Sequence, residues 1–145
     1  MSPDADVAVV GAGPAGAATA IRLALAGWSV ALVERHSYPR RKVCGECLSA
    51  AACAQLAELG VDAAAVAGPR HERVAWYVGD AVARAPFPPL RDAAGVAHHG
   101  YALGRDRLDA MLVQRARDVG VALLQPARVR AVGGEPGARE VAIDD

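Results

Sequence analysis

Asparagine is absent from the 145 residues, and aromatic side chains are scarce: one Phe, two Trp and three Tyr. An excess of one charge is lacking too. Sixteen Lys and Arg balance sixteen Asp and Glu, so net charge points neither to nucleic acid nor to an anionic membrane surface. Arg22 interrupts the longest apolar candidate, and no run approaches the roughly eighteen apolar residues of a membrane span. The first six residues carry Asp4 and Asp6 but no base, unlike the basic start of a secretory signal. Three cysteines, an odd number without such a signal, argue for a reducing compartment, and a cytoplasmic location is expected. No internal repeat or low-complexity tract is evident. The length allows one hydrophobic core.

What is present is concentrated near the start. Residues 7–10 are a continuous apolar run, as expected of a parallel strand covered on both faces. Gly11, Gly13 and Gly16 follow as G-x-G-x-x-G, with the small Ala20 four positions on. In that pattern the first glycine makes a tight turn, the second admits a pyrophosphate close to the backbone, and the third lets helix and strand pack closely. A helix is expected over 14–26, with Pro14 in its first turn and Gly27 as its stop. Ala17, Ile21, Ala24 and Trp28 share the face that covers the sheet. Residues 29–33 read as a second strand closed by Glu34, twenty-three positions beyond Gly11. An acid about 20 residues on is suited to ribose hydroxyls, and free helix amides are suited to phosphates. A dinucleotide-binding βαβ unit is therefore expected.

Residues 35–49 form a loop rich in cations and breakers, with Arg40, Arg41 and Lys42 consecutive. Arg35 could accept a 2′-phosphate, but Glu34 would repel one, which favours FAD or NAD over NADP. Cys44 and Cys47 match C-x-x-C, yet no second ligand pair supports zinc. The intervening basic loop also sets the motif apart from a thioredoxin-like one. A helix is expected over 48–59, with Leu48, Ala52, Leu56 and Leu59 on one face, Cys53 buried, and Gly60 as the stop. Residues 72–78 and 81–85 flank Gly79-Asp80 as a hairpin. Its aromatics, Trp76 and Tyr77 with Phe87 beyond, suit a substrate wall, but ordinary sheet packing is the favoured reading. His98 and His99 are adjacent, point apart in a strand, and are given no role. A second strong helix is expected over 106–119. Leu108, Leu112, Ala116 and Val119 form its face, and Asp106 and Asp109 favour its N-terminus. Residues 121–124 read as a third parallel strand, and 128–132 with 139–143 as a hairpin around a glycine-rich loop at 133–137.

Taken together, the glycine motif, Glu34-Arg35, Pro39-Arg40-x-Lys42-x-Cys44-Gly45-Glu46 with Leu48-Ser49, and Arg105-x-x-Leu108-Asp109 resemble the FAD-dependent monooxygenase and reductase superfamily of p-hydroxybenzoate hydroxylase. The geranylgeranyl reductase-like branch, through Cys44-Gly45-Glu46, is the nearest likeness. The resemblance implies an α/β, Rossmann-like FAD-binding domain with a parallel sheet. Antiparallel β excursions, chiefly 70–103, would contribute to a substrate-facing layer. It implies FAD on Gly11, Gly13, Pro14, Ala15 and Gly16, with Glu34 on the adenosine ribose. Arg35, Arg41 and Arg105 would lie near the cofactor, and the 40–46 loop, with Arg40, Cys44 and Gly45, would approach flavin and substrate. NAD(P)H would be the electron donor, and the substrate an apolar or aromatic small molecule.

The likeness has gaps. Such enzymes carry a later Asp-Gly segment, which does not occur here, and a ribityl-side Gly-Asp, whereas Gly79-Asp80 fits a hairpin turn. The tryptophan-rich motif of the halogenases sharing this fold is absent. The expectation is an incomplete unit, the N-terminal part of an oxidoreductase, with no side chain assignable as catalytic. An NAD-binding dehydrogenase domain is the alternative, disfavoured by the basic loop and early hairpin. A non-catalytic nucleotide-binding remnant is another.

Overall fold

The computed structural model describes residues 4–144. In chain order the elements are β1 (Val7–Val10), α1 (Pro14–Leu25), β2 (Val30–Val33), β3 (Cys47–Leu48) and α2 (Ala50–Glu58). A 3-10 turn (Ala63–Ala65) leads to β4 (Arg73–Val78), β5 (Ala81–Pro86), β6 (Leu90–Arg91), β7 (Ala97–His98) and β8 (Tyr101–Ala102). Then come α3 (Arg105–Asp118), β9 (Ala122–Leu124), β10 (Arg128–Glu135) and β11 (Ala138–Asp144). The chain divides into two compact units, one of Met1–Lys42 with Asp106–Asp145, the other of Val43–Arg105.

The first unit is built on a parallel sheet of order β1-β2-β9. The central β2 is buried at all four positions, as a doubly covered strand should be. The same expectation fails for β1. Val7 and Val9 are half-buried, whereas Ala8 and Val10 are exposed, because β1 is the edge of this sheet and α1 covers one face of it. Asp6 and Ser29 fasten the starts of β1 and β2. The Asp6 carboxylate accepts from the Ser29 backbone and hydroxyl, and these bonds hold its pKa below the ordinary value.

In α1 the small residues Ala17 and Ala20, with Ile21, form the buried face. Trp28 does not join them. Gly27 takes φ +92°, the Gly27 amide donates to Ala24 O and the Trp28 amide to Leu23 O, a Schellman closure that turns the chain out of the helix. Trp28 is left half-exposed. In α3, Leu108, Leu112 and Ala116 are buried as the spacing predicts, Val113 joins them, and Val119, just past the helix end, is only half-buried. Asp109 lies fully inside with them. The hairpin β10–β11 is longer than expected. Its pairing runs on to Glu135 opposite Ala138, so Gly133 and Gly134 are strand residues and only Pro136-Gly137 turns.

In the second unit, Leu48 belongs to β3 and not to the helix. Ser49 is the N-cap, its hydroxyl accepting from the Ala52 amide at 3.1 Å, so the helix starts only at Ala50. Ala50, Cys53, Leu56 and Leu59 are its buried residues, and burial pushes the Cys53 thiol pKa up. The hairpin β4–β5 pairs Val78 with Ala81 around Gly79, whose φ is +55°. Its aromatics are not packed as expected: Trp76 is 54% and Tyr77 69% exposed, because the two strands hydrogen-bond only to each other. Among the described residues no helix is long and apolar enough to cross a membrane, and no cluster of metal-ligating side chains occurs.

Candidate functional site

The glycine turn and the end of β2 meet at the same edge of the first unit. Gly11 has φ +95°, and its amide donates to Val33 O at 2.7 Å, which joins the two strand ends. A Cβ on Gly16 would lie 1.9 Å from Gly11 O, so only glycine lets α1 sit directly against the turn. Gly13 is the N-cap, and no side chain caps it. Pro14 follows at the first helical position, where a missing N–H costs nothing. The first turn therefore faces outward uncapped, in the arrangement that receives anions.

Glu34 is buried, with 4% exposure. Its Oε2 accepts from the Ala12 amide at 2.9 Å and its Oε1 from the His36 amide at 3.0 Å. Two carboxylate oxygens offer about four lone-pair sites, so acceptor capacity remains. The Glu34 backbone is equally fixed: its amide donates to Leu124 O, and its carbonyl accepts from the Ala127 amide. The acid is thus a rigid part of the sheet end, tied to the glycine turn through Ala12.

The cationic loop contributes Arg40, expected near the cofactor by resemblance, and Tyr38, which sequence reading missed. The Tyr38 hydroxyl donates to Ala12 O at 2.9 Å, anchoring the loop on the turn. Burial first, then the charges of Glu34 and Asp109, raise the phenol pKa against an opposing effect of Arg40, which keeps the group a donor. Arg40 lies over the Tyr38 ring at 5.6 Å and places Nη2 3.9 Å from Glu34 Oε1. Of the consecutive cations, Arg41 and Lys42 are exposed, as is Arg35. The tyrosine just ahead of the cation run was the available signal, since a half-buried ring can orient one arginine.

Gly11, Gly13, Pro14, Ala15, Gly16 and Glu34 are thus brought together. Cys44, Gly45 and Arg105 belong to the second unit. Cys44 is exposed, and Gly45 has open space where a Cβ would stand. Cys47, not Cys44, has a partner: its thiol lies 3.6 Å from His71 Nδ1. Neither cysteine opens a helix, consistent with setting aside a thioredoxin-like site. Arg105 begins α3 and is engaged in interactions of its own. His98 bonds Asp92 at 3.0 Å, which lowers the Asp92 carboxyl pKa, and borders a cleft of about 470 Å³ with His99, Tyr101, Asp62 and Cys53.

Strand, glycine turn, helix and an acid closing the neighbouring strand define a dinucleotide-binding α/β unit. Residues 4–142 match the family model described as FAD binding domain, and the chain belongs to that family. It is 35% identical over 147 residues to a menaquinone reductase of Mycobacterium tuberculosis, an alignment covering 99% of this chain and 35% of the relative. The chain thus spans about a third of the length of the curated relatives it matches. Among solved structures it is similar to a flavoprotein/dehydrogenase from Cytophaga hutchinsonii, with TM-score 0.81 and 26% identity, over 97% of this chain and 35% of that one. It is also similar to the myxobacterial chondrochloren halogenase, with TM-score 0.78 and 27% identity over 92% and 31%. A geranylgeranyl bacteriochlorophyll reductase-like protein from Thermoplasma acidophilum shares the fold at TM-score 0.72 and 24% identity, over 96% and 34%. The expected FAD-binding superfamily is borne out by the family match, the Thermoplasma protein shows the fold alone, and the halogenases share that fold although this chain lacks their tryptophan-rich motif.

Proposed function

We propose that the chain carries the FAD-binding portion of a flavin-dependent oxidoreductase acting on an apolar or aromatic small molecule. The observation that carries this reading is the rigid junction of glycine turn, uncapped helix start and buried Glu34. The residues present suit FAD. A Cβ at Gly16 would collide with the turn, and Arg40 Nε is a buried donor without a partner beside the acid. In this reading Gly11, Gly13, Pro14, Ala15 and Gly16 receive the pyrophosphate on the helix start. Glu34 accepts the adenosine ribose hydroxyls with its remaining lone pairs.

Arg35 and Arg41, exposed on the loop, add positive potential for the diphosphate. By family likeness Cys44, Gly45 and Arg105 lie towards the flavin, and 70–103 contributes to a substrate-facing layer. FAD, when bound, supplies two-electron redox chemistry at its flavin. NAD(P)H is the proposed electron donor and the cytoplasm the proposed location. The menaquinone reductases among the relatives favour a reductase with a quinone-like, apolar substrate over a hydroxylase.

The test is a visible spectrum of the purified chain after incubation with FAD and removal of free cofactor. Retained flavin bands at stoichiometric level are expected. A protein that folds, by circular dichroism, yet retains no flavin would remove the cofactor site from this chain.

A further inference from the structure

Two buried side-chain atoms among the described residues have no hydrogen-bond partner: Arg40 Nε and Gln125 Oε1. Folded proteins pair nearly all such groups, so an orphan marks a partner still to come. Both lie on segments attached to Glu34. Arg40 is on the loop that leaves it, with Nη2 3.9 Å from Oε1. Gln125 is on the segment between Leu124 and Ala127, both of which bond the Glu34 backbone. The unsatisfied polarity of the first unit is therefore gathered at one end of β2.

The chemistry of the two side chains narrows what can fill it. Arg Nε–H is only a donor, and ionised Glu34 only an acceptor. Nη2, 3.9 Å from Oε1, is beyond hydrogen-bond distance, and Nε has no partner at all. A hydroxyl satisfies both, because its proton goes to the carboxylate while its oxygen accepts from the guanidinium. A phosphate can satisfy the arginine but is repelled by the acid, and a ring carbon satisfies neither. Arg40 is held for this task by the Tyr38 ring beneath it, and Tyr38 is in turn bonded to Ala12 O.

We infer that Arg40 reads the adenosine ribose jointly with Glu34, donating from Nε to the oxygen of the hydroxyl whose proton Glu34 accepts. This rests on the FAD reading above and extends it: selectivity for an unphosphorylated ribose resides in a donor–acceptor pair and not in the acid alone.

Calorimetric titration of the full chain with FAD, ADP, 2′-deoxy-ADP and 3′-deoxy-ADP tests it, using the native chain, Arg40→Met and Arg40→Lys. The native chain should prefer ADP over one deoxy analogue by roughly tenfold or more, the scale of a charge-assisted hydrogen bond. Arg40→Met should weaken ADP by a similar factor and shrink the deoxy penalty to within about threefold, since the hydroxyl has then lost one of its partners. Arg40→Lys keeps the charge but offers no donor at Nε, so it should lose the discrimination more than the affinity. A general structural role would weaken all ligands alike and leave the deoxy penalty intact, and that result overturns the inference. So does failure of both variants to fold, judged by circular dichroism. If the native chain binds neither FAD nor ADP, the FAD reading falls as well. If it binds both and only the Arg40 dependence is missing, that reading stands and the ribose pair alone is wrong.

Discussion

The parallel sheet of the first unit closes around its central strand, whereas the β4–β5 hairpin of the second unit is left open, as is the β10–β11 hairpin of the first. Strand β2 is buried at every position, flanked by β1 and β9 and packed against α1. The β4–β5 hairpin, of six residues per strand, exposes most of both faces, including Trp76, Tyr77 and Val78. Hydrophobic burial scales with the area removed from water, so the two regions contribute very differently to stability. The difference also separates two kinds of function. A rigid edge whose backbone is bonded on both sides, as at Glu34, can fix a ligand to a fraction of an ångström. An exposed apolar ribbon has no shape of its own to impose.

The largest effects should come from the turn that organises the closed unit. Gly16→Val would drive a side chain into Gly11 O, where even a Cβ would stand at 1.9 Å. A backbone contact cannot be relieved by a rotamer change, so a loss of about 3 kcal/mol or more is expected, with flavin retention abolished. Denaturant unfolding and the FAD spectrum report the two consequences separately. Retained flavin in this variant would mean that helix and turn do not pack as described. Next, Leu112→Ala should cost about 2–5 kcal/mol, because Leu112 is 1% exposed and leaves a cavity in the same core. A cost below about 1 kcal/mol would show that this core collapses freely, and the contrast with the hairpin would then disappear.

How much could be read from the sequence follows the same division. The strand, turn and helix of the first unit were legible because each level agreed: apolar run, glycine spacing, Pro14 at one end and Gly27 at the other. Glu34 was legible from its spacing alone. Tyr38 was not, and Arg40 entered only through the family likeness of its loop, since their positions depend on a loop folding back onto Ala12, and no period encodes such a return. Asp109 was read as favouring the helix N-terminus, but its full burial was not foreseen, because helix position gives the face only approximately. Leu48 was misplaced by one cap: the periodicity ran through Ser49, but the hydroxyl of Ser49 sets the boundary. The aromatics of the hairpin follow strand propensity, which says where a residue sits along a strand and nothing about what covers it.

An intermediate effect is expected at the acid itself. Glu34→Gln keeps the shape of the side chain but replaces one carboxylate acceptor, facing the Ala12 or the His36 amide, with an amide donor, and weakens the acceptor proposed for the ribose. FAD affinity should fall by roughly 1–3 kcal/mol, the range for a charge-assisted hydrogen bond lost at a buried position. Fluorescence titration measures it. Unchanged affinity would remove Glu34 from the cofactor site and leave its burial as a purely structural tie between the turn and β2.

The smallest effect is expected in the open unit, and it sharpens the comparison most. Trp76→Ser and Val78→Ser each remove apolar surface that is already largely in water, Val78 being 77% exposed. Their partners across the hairpin are only alanines, Ala83 for Trp76 and Ala81 for Val78, so little cross-strand packing is lost. Each substitution should change stability by no more than about 0.5 kcal/mol, as for surface positions away from caps, cores and networks. Chemical denaturation of the two variants beside Leu112→Ala supplies the measurement on one scale. A loss above about 1.5 kcal/mol at either position would mean that something covers the hairpin in solution, because an exposed side chain has no other route to so large an effect. The open ribbon would then be as structural as β2, and its proposed contribution to a substrate-facing layer would have to be given up.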